Sequence, residues 1–354
     1  MVSWLKEKRF SMKKNSFFSL LFLFWTIFTG CADWEITPKP IDLNETRQRL
    51  LLSGDEASLY CNLGNRGVKI FEISDPTTPG LLSTYDSPGK AYDIALFSNT
   101  LFVADGERGL QIVDPGSGDH PIPKRIGHYS TKGIEARSLT LTPDGTTLFL
   151  GTATGLRIVD VSTPREPLYL SRFDTTGMIT DLVLSKDQRR LFMVDRDFGL
   201  EILDVKEPKF PKRIASFAIT GSPLSVLLLE NEKYALISNQ SEKLHIIDLN
   251  DTLHPKLFGE ITLQESSANG WAMSENPNRS ELYIASGKTG MEIYNIGELE
   301  EIRFLQRYAA DAETRGLTLS FDKTRLYLAE GEKGIEILDL STPGDIRPVG
   351  SYRY

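Results

Sequence analysis

Residues 155–164 read GLRIVDVSTP. Leu156, Ile158 and Asp160 face one way and Arg157, Val159 and Val161 the other, which is the period of a β-strand. The glycine in front suits a tight turn, and Ser-Thr-Pro behind ends the ladder. The stretch recurs as GVKIFEIS from Gly67, GLQIVDPG from Gly109, GLEILDVK from Gly199, GMEIYNIG from Gly290 and GIEILDLS from Gly334. A seventh copy, KLHIIDLN from Lys243, has lost only the glycine. The seven copies start 42, 46, 44, 44, 47 and 44 residues apart. That period, rather than the length of 354 residues, sets the domain organisation.

Working outward from the third copy, four strands can be read. Strand A is Ala136–Leu141, strand B Leu148–Thr152, strand C the opening stretch and strand D Leu168–Phe173. Turn residues separate them, TPDGT between A and B and STPREP between C and D, as antiparallel meanders require. Such a sheet is apolar on both faces and must bury both against neighbours. Seven copies of this size predict an all-β, seven-bladed propeller with four antiparallel strands per blade. The first copy already supplies strands A to D and the last ends on strand D, so each blade is expected to be contiguous. The stretch 297–308 has room for a helical turn before its strand D, and the sixth copy alone has no proline there.

Strand C, with the preceding LFVADGERGL, resembles the LVIVD repeat of bacterial and archaeal cell-surface proteins. The resemblance covers residues 46–354. It implies a surface-located propeller lipoprotein and says almost nothing about activity.

The N-terminus has the pattern of a targeting segment. Lys13 and Lys14 precede an apolar run from Phe17 to Phe28, then Thr29, Gly30 and Cys31. That run is shorter than the roughly 20 residues a membrane-spanning helix needs. The pattern resembles the lipobox of bacterial lipoproteins, with Phe28 where that box usually has leucine, and implies lipidation of Cys31. Residues 1–31 are read as a signal peptide, with Met12 a better start than Met1, residues 32–45 as a tether and 46–354 as the propeller. The chain is then exported and lipid-anchored in the bacterial envelope, at the outer membrane or cell surface. With Cys31 lipidated, Cys61 stands alone in a strand-like run and is expected to be a buried thiol.

The chain carries a net charge of −8. Residues 1–31 account for +4, leaving −12 on the remainder. An acidic body argues against nucleic acid, or an anionic membrane surface, as the main partner. His120, His128, His245 and His254 form no metal-ligand spacing, and there is no P-loop or nucleophile elbow. No metal, cofactor or catalytic set is expected. The acid that recurs at the end of strand C (Glu72, Asp114, Asp160, Asp204, Asp248, Asp339, with Asn295 in the sixth copy) is expected to cap the following turn.

Strand C and the C–D connections are nearly uniform, whereas the first residues of strand A and the ends of strand B vary from copy to copy. Both should lie on one face beside the channel mouth. The candidate binding residues are therefore Tyr92, Asp105, Arg137, Asp195, Trp271, Arg315 and Glu330, a mixed charged and aromatic set suited to polar recognition. The leading expectation is a monomeric, non-enzymatic binding or scaffold protein, held to the membrane by its lipid and taking a protein or carbohydrate ligand at the mouth. The alternative is a periplasmic hydrolase or lyase acting there on a sugar or lactone. A third reading makes the ring's edge a contact in an envelope assembly. A deep, charge-lined pocket favours the enzyme and a flat mouth disfavours it.

Overall fold

The computed structural model describes residues 47–118, 120–240, 243–264, 272–331 and 333–354. The proposed signal peptide, its Cys31 and the tether lie outside the described residues.

Twenty-eight strands form seven antiparallel sheets of four. In each sheet the strands are consecutive in the chain, A innermost and D outermost. The blades span 50–85, 93–129, 136–174, 179–218, 223–262, 272–308 and 316–353. In blade 3 the strands are Ala136–Leu141, Thr147–Thr152, Gly155–Asp160 and Leu168–Asp174, within one residue of the boundaries read from the sequence. The sixth blade replaces the proline turn with a 3-10 turn, Leu299–Glu301, just ahead of strand D.

Alternation along each strand builds the core. Leu156 and Ile158 enter the interface with blade 4, together with Leu182 and Met193. Val159 and Val161 enter the interface with blade 2, together with Phe102 and Leu110. A register shift between Ile158 and Val159 recurs at the same place in the C–D pairing of every blade. It lets strand D follow the twist that accumulates toward the rim. Gly155 opens strand C at φ +116°, where a Cβ would lie 2.4 Å from the Phe173 carbonyl oxygen. Only glycine fits that backbone and that approach.

Seven apolar clusters fill the seven inter-blade interfaces, including the one between blades 7 and 1. The ring is therefore closed by packing, with Leu59, Phe71, Tyr327 and Ile337 in the closing interface. At three other interfaces a B–C turn glycine bridges to the start of the next blade, Gly64 with Ala91, Gly106 with Ala136 and Gly287 with Thr314. At the closure a side chain takes over this role. The Gln48 amide donates to the Gly331 carbonyl at 3.2 Å and accepts from the Gly331 N–H at 3.1 Å.

Gln48→Leu keeps the volume and removes both bonds, leaving buried backbone groups of Gly331 unpaired. The expected cost is about 1–3 kcal/mol in chemical denaturation. A denaturation midpoint equal to that of the parent would mean that packing alone closes the ring.

Candidate functional site in the central channel

Strand A places its residues along the axis of the ring. Arg47 and Arg49 precede strand A of blade 1, Asp93 opens strand A of blade 2 and Asp181 lies in strand A of blade 4. The Nε atom of Arg49 lies 2.7 Å from Asp93, and its Nη2 lies 3.4 Å from Asp181. Nη1 of Arg47 lies 2.5 Å from the other oxygen of Asp181. Blades 1 and 4 are not neighbours, so the two pairs with Asp181 cross the channel, while the pair with Asp93 reaches the adjacent blade 2.

Each carboxylate is also anchored by backbone. Asp93 accepts N–H bonds from Ile94 at 3.0 Å and from Leu139 in blade 3 at 2.9 Å. Asp181 accepts from Leu182 at 3.0 Å and from Val226 in blade 5 at 3.0 Å. Both acids are buried. Burial pushes the Asp93 carboxyl up, against the opposing pull of Arg49 and Arg47. For Arg47, burial works against the charge, but Asp181 and Asp93 outweigh it and hold the guanidinium above its ordinary value.

A cavity of about 270 Å³ adjoins this network. Its walls come from strand A of six blades and include Arg47, Arg49, Asp181, Ser225, Ser274 and Thr318. The chemistry available there is two guanidinium forks beside a carboxylate, ringed by hydroxyls. That set can polarise a carbonyl, neutralise an oxyanion or accept a proton from water. Among the described residues no group of three or more His, Cys, Asp or Glu side chains could hold a metal ion.

The residues singled out from the sequence fall into separate places. Tyr92 and Arg137 are brought together at the starts of strand A in blades 2 and 3. The Arg137 guanidinium lies 4.2 Å from the Tyr92 ring centroid and donates to Glu135 at 2.7 Å, and the Tyr92 hydroxyl donates to the same carboxylate at 2.8 Å. Burial opposes ionisation of Glu135, but the bonds from Arg137 and Tyr92 outweigh it and hold the carboxyl below its usual range. Burial pushes the Tyr92 phenol up to about 12. Arg315 repeats the arrangement in blade 7, donating to Glu313 at 2.8 Å.

Asp105, Asp195 and Glu330 have no exposed surface and lie each in its own blade. The Ser87 hydroxyl and the Gly89 N–H donate to Asp105, the latter at 3.0 Å. The Gly177 N–H donates to Asp195 at 2.9 Å. Glu330 is bonded by Arg353. The first two fasten the connection that enters strand A of their own blade, and Glu330 fastens the end of the last strand D. Trp271 lies outside the described residues. The strand-C acids cap their turns as expected, for instance Asp160 accepting from the Ser162 N–H at 2.9 Å and Asp339 from the Ser341 N–H at 2.7 Å. Cys61 is buried, and burial pushes its thiol up to about 12.

The family model of the LVIVD repeat matches residues 88–116 and 149–175. The chain carries LVIVD repeats. No curated protein matches it. Among solved structures, this LVIVD-repeat ring is similar to a periplasmic gluconolactonase of Pseudomonas aeruginosa, with a TM-score of 0.70 and 13% identity over 84% of this chain and 96% of that one. It is also similar to a putative 6-phosphogluconolactonase of Bacteroides fragilis, with a TM-score of 0.71 and 12% identity over 85% and 96%. A putative 6-phosphogluconolactonase of Bacteroides uniformis gives 0.69 and 14% over 82% and 95%. At these identities the likeness is one of fold. The expectation of a non-enzymatic binding or scaffold protein is nevertheless corrected. Three proteins with this fold carry lactonase names and the channel holds a charge-lined cavity, and both speak against a plain scaffold.

Asp105 supplies a pH test of the loop contacts. Burial pushes its carboxyl up to about 6, against the bonds from Ser87 and Gly89. The folded state therefore holds this proton more tightly than the unfolded chain, and stability falls as pH rises from the unfolded value near 4 through about 6. Asp105→Asn removes that slope. Melting temperatures taken from pH 4 to 7.5 should show the variant gaining on the parent as pH rises. A difference that stays constant over that window would contradict the assignment.

Proposed function

We propose that this chain is an exported hydrolase that opens a small sugar lactone in its central channel. The observation that carries the reading is the cavity bounded by Arg47, Arg49 and Asp181, on a fold shared with proteins named as lactonases. Asp181 lines the cavity and is the group placed to take a proton from water as the water oxygen attacks the lactone carbonyl. The carbonyl oxygen gains the charge, and Arg47 and Arg49 are the donors beside it. As the oxyanion collapses, the bond from the carbonyl carbon to the ring oxygen breaks. The ring oxygen leaves as a hydroxyl with the proton that Asp181 took from the water, which restores the carboxylate, and the product is the open-chain hydroxy acid. Asp93 holds the Nε side of Arg49 and so acts as a positioning residue. The hydroxyls of Ser225, Ser274 and Thr318 suit a polyhydroxy ligand.

Proton release from glucono-1,5-lactone and from its 6-phosphate ester tests the reading. The parent should accelerate hydrolysis of at least one of them over the spontaneous rate. Asp181→Asn should lower that rate by about 100-fold or more. The substitution also weakens a buried ion pair, a change that costs about 3–5 kcal/mol when a partner is removed, so circular dichroism at the assay temperature must show folded protein. A folded parent with no rate above background on either ester would sink the proposal.

Export and anchoring belong to the same reading. They are supported by the basic and apolar run before Cys31 and by the periplasmic location in the name of one similar structure. Among the described residues no helix is long and apolar enough to cross a membrane. With Cys31 acylated, the protein should partition into detergent, and Cys31→Ser should leave an unprocessed precursor or move the protein to the aqueous phase. Identical migration and partition of the two forms would remove the anchor from the account.

A further inference from the structure

Strands A and C run one way through a blade and B and D the other. The B–C turns and the starts of strand A therefore lie on one face of the ring, and the C–D connections lie at the outer rim of the opposite face. Successive C–D connections touch the strand D before them. The Ser171 hydroxyl donates to the Pro208 carbonyl at 2.5 Å, and a Cβ on Gly127 would fall 1.9 Å from the Pro164 carbonyl oxygen. The rim is thus continuous from blade 2 to blade 4.

Large apolar side chains stand out from this rim. Ile122 is 71% exposed, Leu168 61%, Phe210 66% and Leu253 57%, and Tyr169 and Leu257 are exposed beside them. Ile122 and Phe210 hold equivalent places two residues before strand D, as do Tyr169 and Leu257 at its second residue. The same region of blades 1 and 6 exposes Leu81, Phe304 and Leu305 less, at 36%, 39% and 46%, so the arc is centred on blades 2 to 5. The charge of the same segments departs from that of the chain. Residues 118–125, 162–169, 206–213 and 250–257 hold eight Lys and Arg against four Asp and Glu, in a protein of net charge −8. Lys124, Arg125, Arg165, Lys206, Lys209, Lys212, Arg213 and Lys256 are all exposed. The corresponding segments of blades 6, 7 and 1 (297–304, 341–348 and 74–81) reverse the balance, with two basic residues against five acids.

We propose that this arc docks the ring on an anionic lipid surface. Single apolar and aromatic side chains flanked by lysine and arginine fit the headgroup boundary, where rings and stems are buried and the cationic tips meet lipid phosphates. The net charge of the chain averages over this arc and hides it. The Lys-Glu-Pro-Lys-Phe-Pro-Lys-Arg periphery of blade 4 carries four cations against one acid, a surplus that an anionic bilayer matches over an extended area. The docked ring keeps the face with the B–C turns away from the lipid. The inference does not rest on the lactonase reading or on acylation of Cys31.

All seven sheets and all seven cores lie within residues 47–354, so a chain beginning at Ala32 folds without the apolar leader and is the form to use. Flotation with vesicles of phosphatidylethanolamine and phosphatidylglycerol should carry the protein upward at low salt, and pure phosphatidylcholine vesicles should not. Lys209→Glu with Lys212→Glu should lower the partition constant about tenfold or more, and Leu168→Ser with Phe210→Ser should lower it independently of salt. Phe321→Ser, on the same face but in an A–B turn of blade 7, should change nothing. Equal flotation on neutral and anionic vesicles, or full binding by both double variants, overturns the proposal. It also fails if the arc substitutions leave lipid binding intact and instead turn a dimer into a monomer in sedimentation, since a second copy would then be the occupant.

Discussion

A ring of sheets must end where it began, and in this chain the closure falls on four residues, Arg47 to Leu50. No strand is shared between the two ends of the described ring, because blade 1 and blade 7 each own four consecutive strands. The junction therefore depends on one backbone bond, from the Gln48 N–H to the Arg315 carbonyl at 3.1 Å, and on side chains. Gln48 imitates a backbone bridge by bonding both polar groups of Gly331, and Leu50 enters the apolar interface with Tyr327 and Ile337. Arg47 and Arg49 leave the junction and cross the channel to blade 4, and Arg49 also reaches the adjacent blade 2. The aromatic cluster of Phe71, Tyr352 and Tyr354 covers the outer side of the same seam, with Arg66 and Lys69 over the Tyr354 ring.

Because the same segment closes the ring and supplies its central cations, stability and chemistry are coupled there. A buried guanidinium loses much hydration energy, and its partner must be close and well bonded to compensate. Asp181 meets that demand with two arginines and two backbone donors. An apolar plug of similar volume would hold the channel at lower electrostatic cost. Stability alone thus does not account for the charged groups, three of which, Arg47, Arg49 and Asp181, line the small cavity. The lactonase reading gives those charges a use, as base and oxyanion donors in a site where fixed dipoles act at short range.

The repeat in strand C made the fold readable from the sequence, since a period of about 44 residues with alternating apolar positions leaves few architectures. The Asp160-type turn caps were also legible, because an acid two residues before a turn N–H is a local signal. The channel was not. Tyr92 and Asp93 are adjacent, and in a strand a shift of one residue reverses the direction of the side chain. Attention to the variable first position selected Tyr92, Arg137 and Arg315, which form Glu-bonded clusters at the strand starts, and passed over Asp93 and Asp181. A signal for those two was present. Each begins or nearly begins an apolar strand, in Asp-Ile-Ala-Leu and Asp-Leu-Val-Leu, where an unpartnered carboxylate would be costly and so requires a distant cation. Asp105 and Asp195 were misplaced for the converse reason. Their side chains turn back to bind the connection entering their own blade, a contact that spans 16 to 18 residues and leaves no trace in the spacing.

Strand parity also explains how one small ring can carry two separate surfaces. With four strands per blade, every B–C turn and every start of strand A falls on one face, and every A–B and C–D connection on the other. Residues that vary at the first set change the channel and its rim without touching the second. The C–D connections, in turn, share a fixed backbone, because the preceding strand D packs against them through small residues such as Gly127 and Ser171. Their exposed side chains are free to differ, and they do so in blocks. Blades 2 to 5 collect basic groups beside their apolar ones, while blade 6 sets Glu298, Glu300 and Glu301 around its 3-10 turn beside the exposed Phe304 and Leu305. A symmetric scaffold with blade-by-blade substitutions at two insulated sets of positions can therefore be directional, presenting a different surface on each side of the ring.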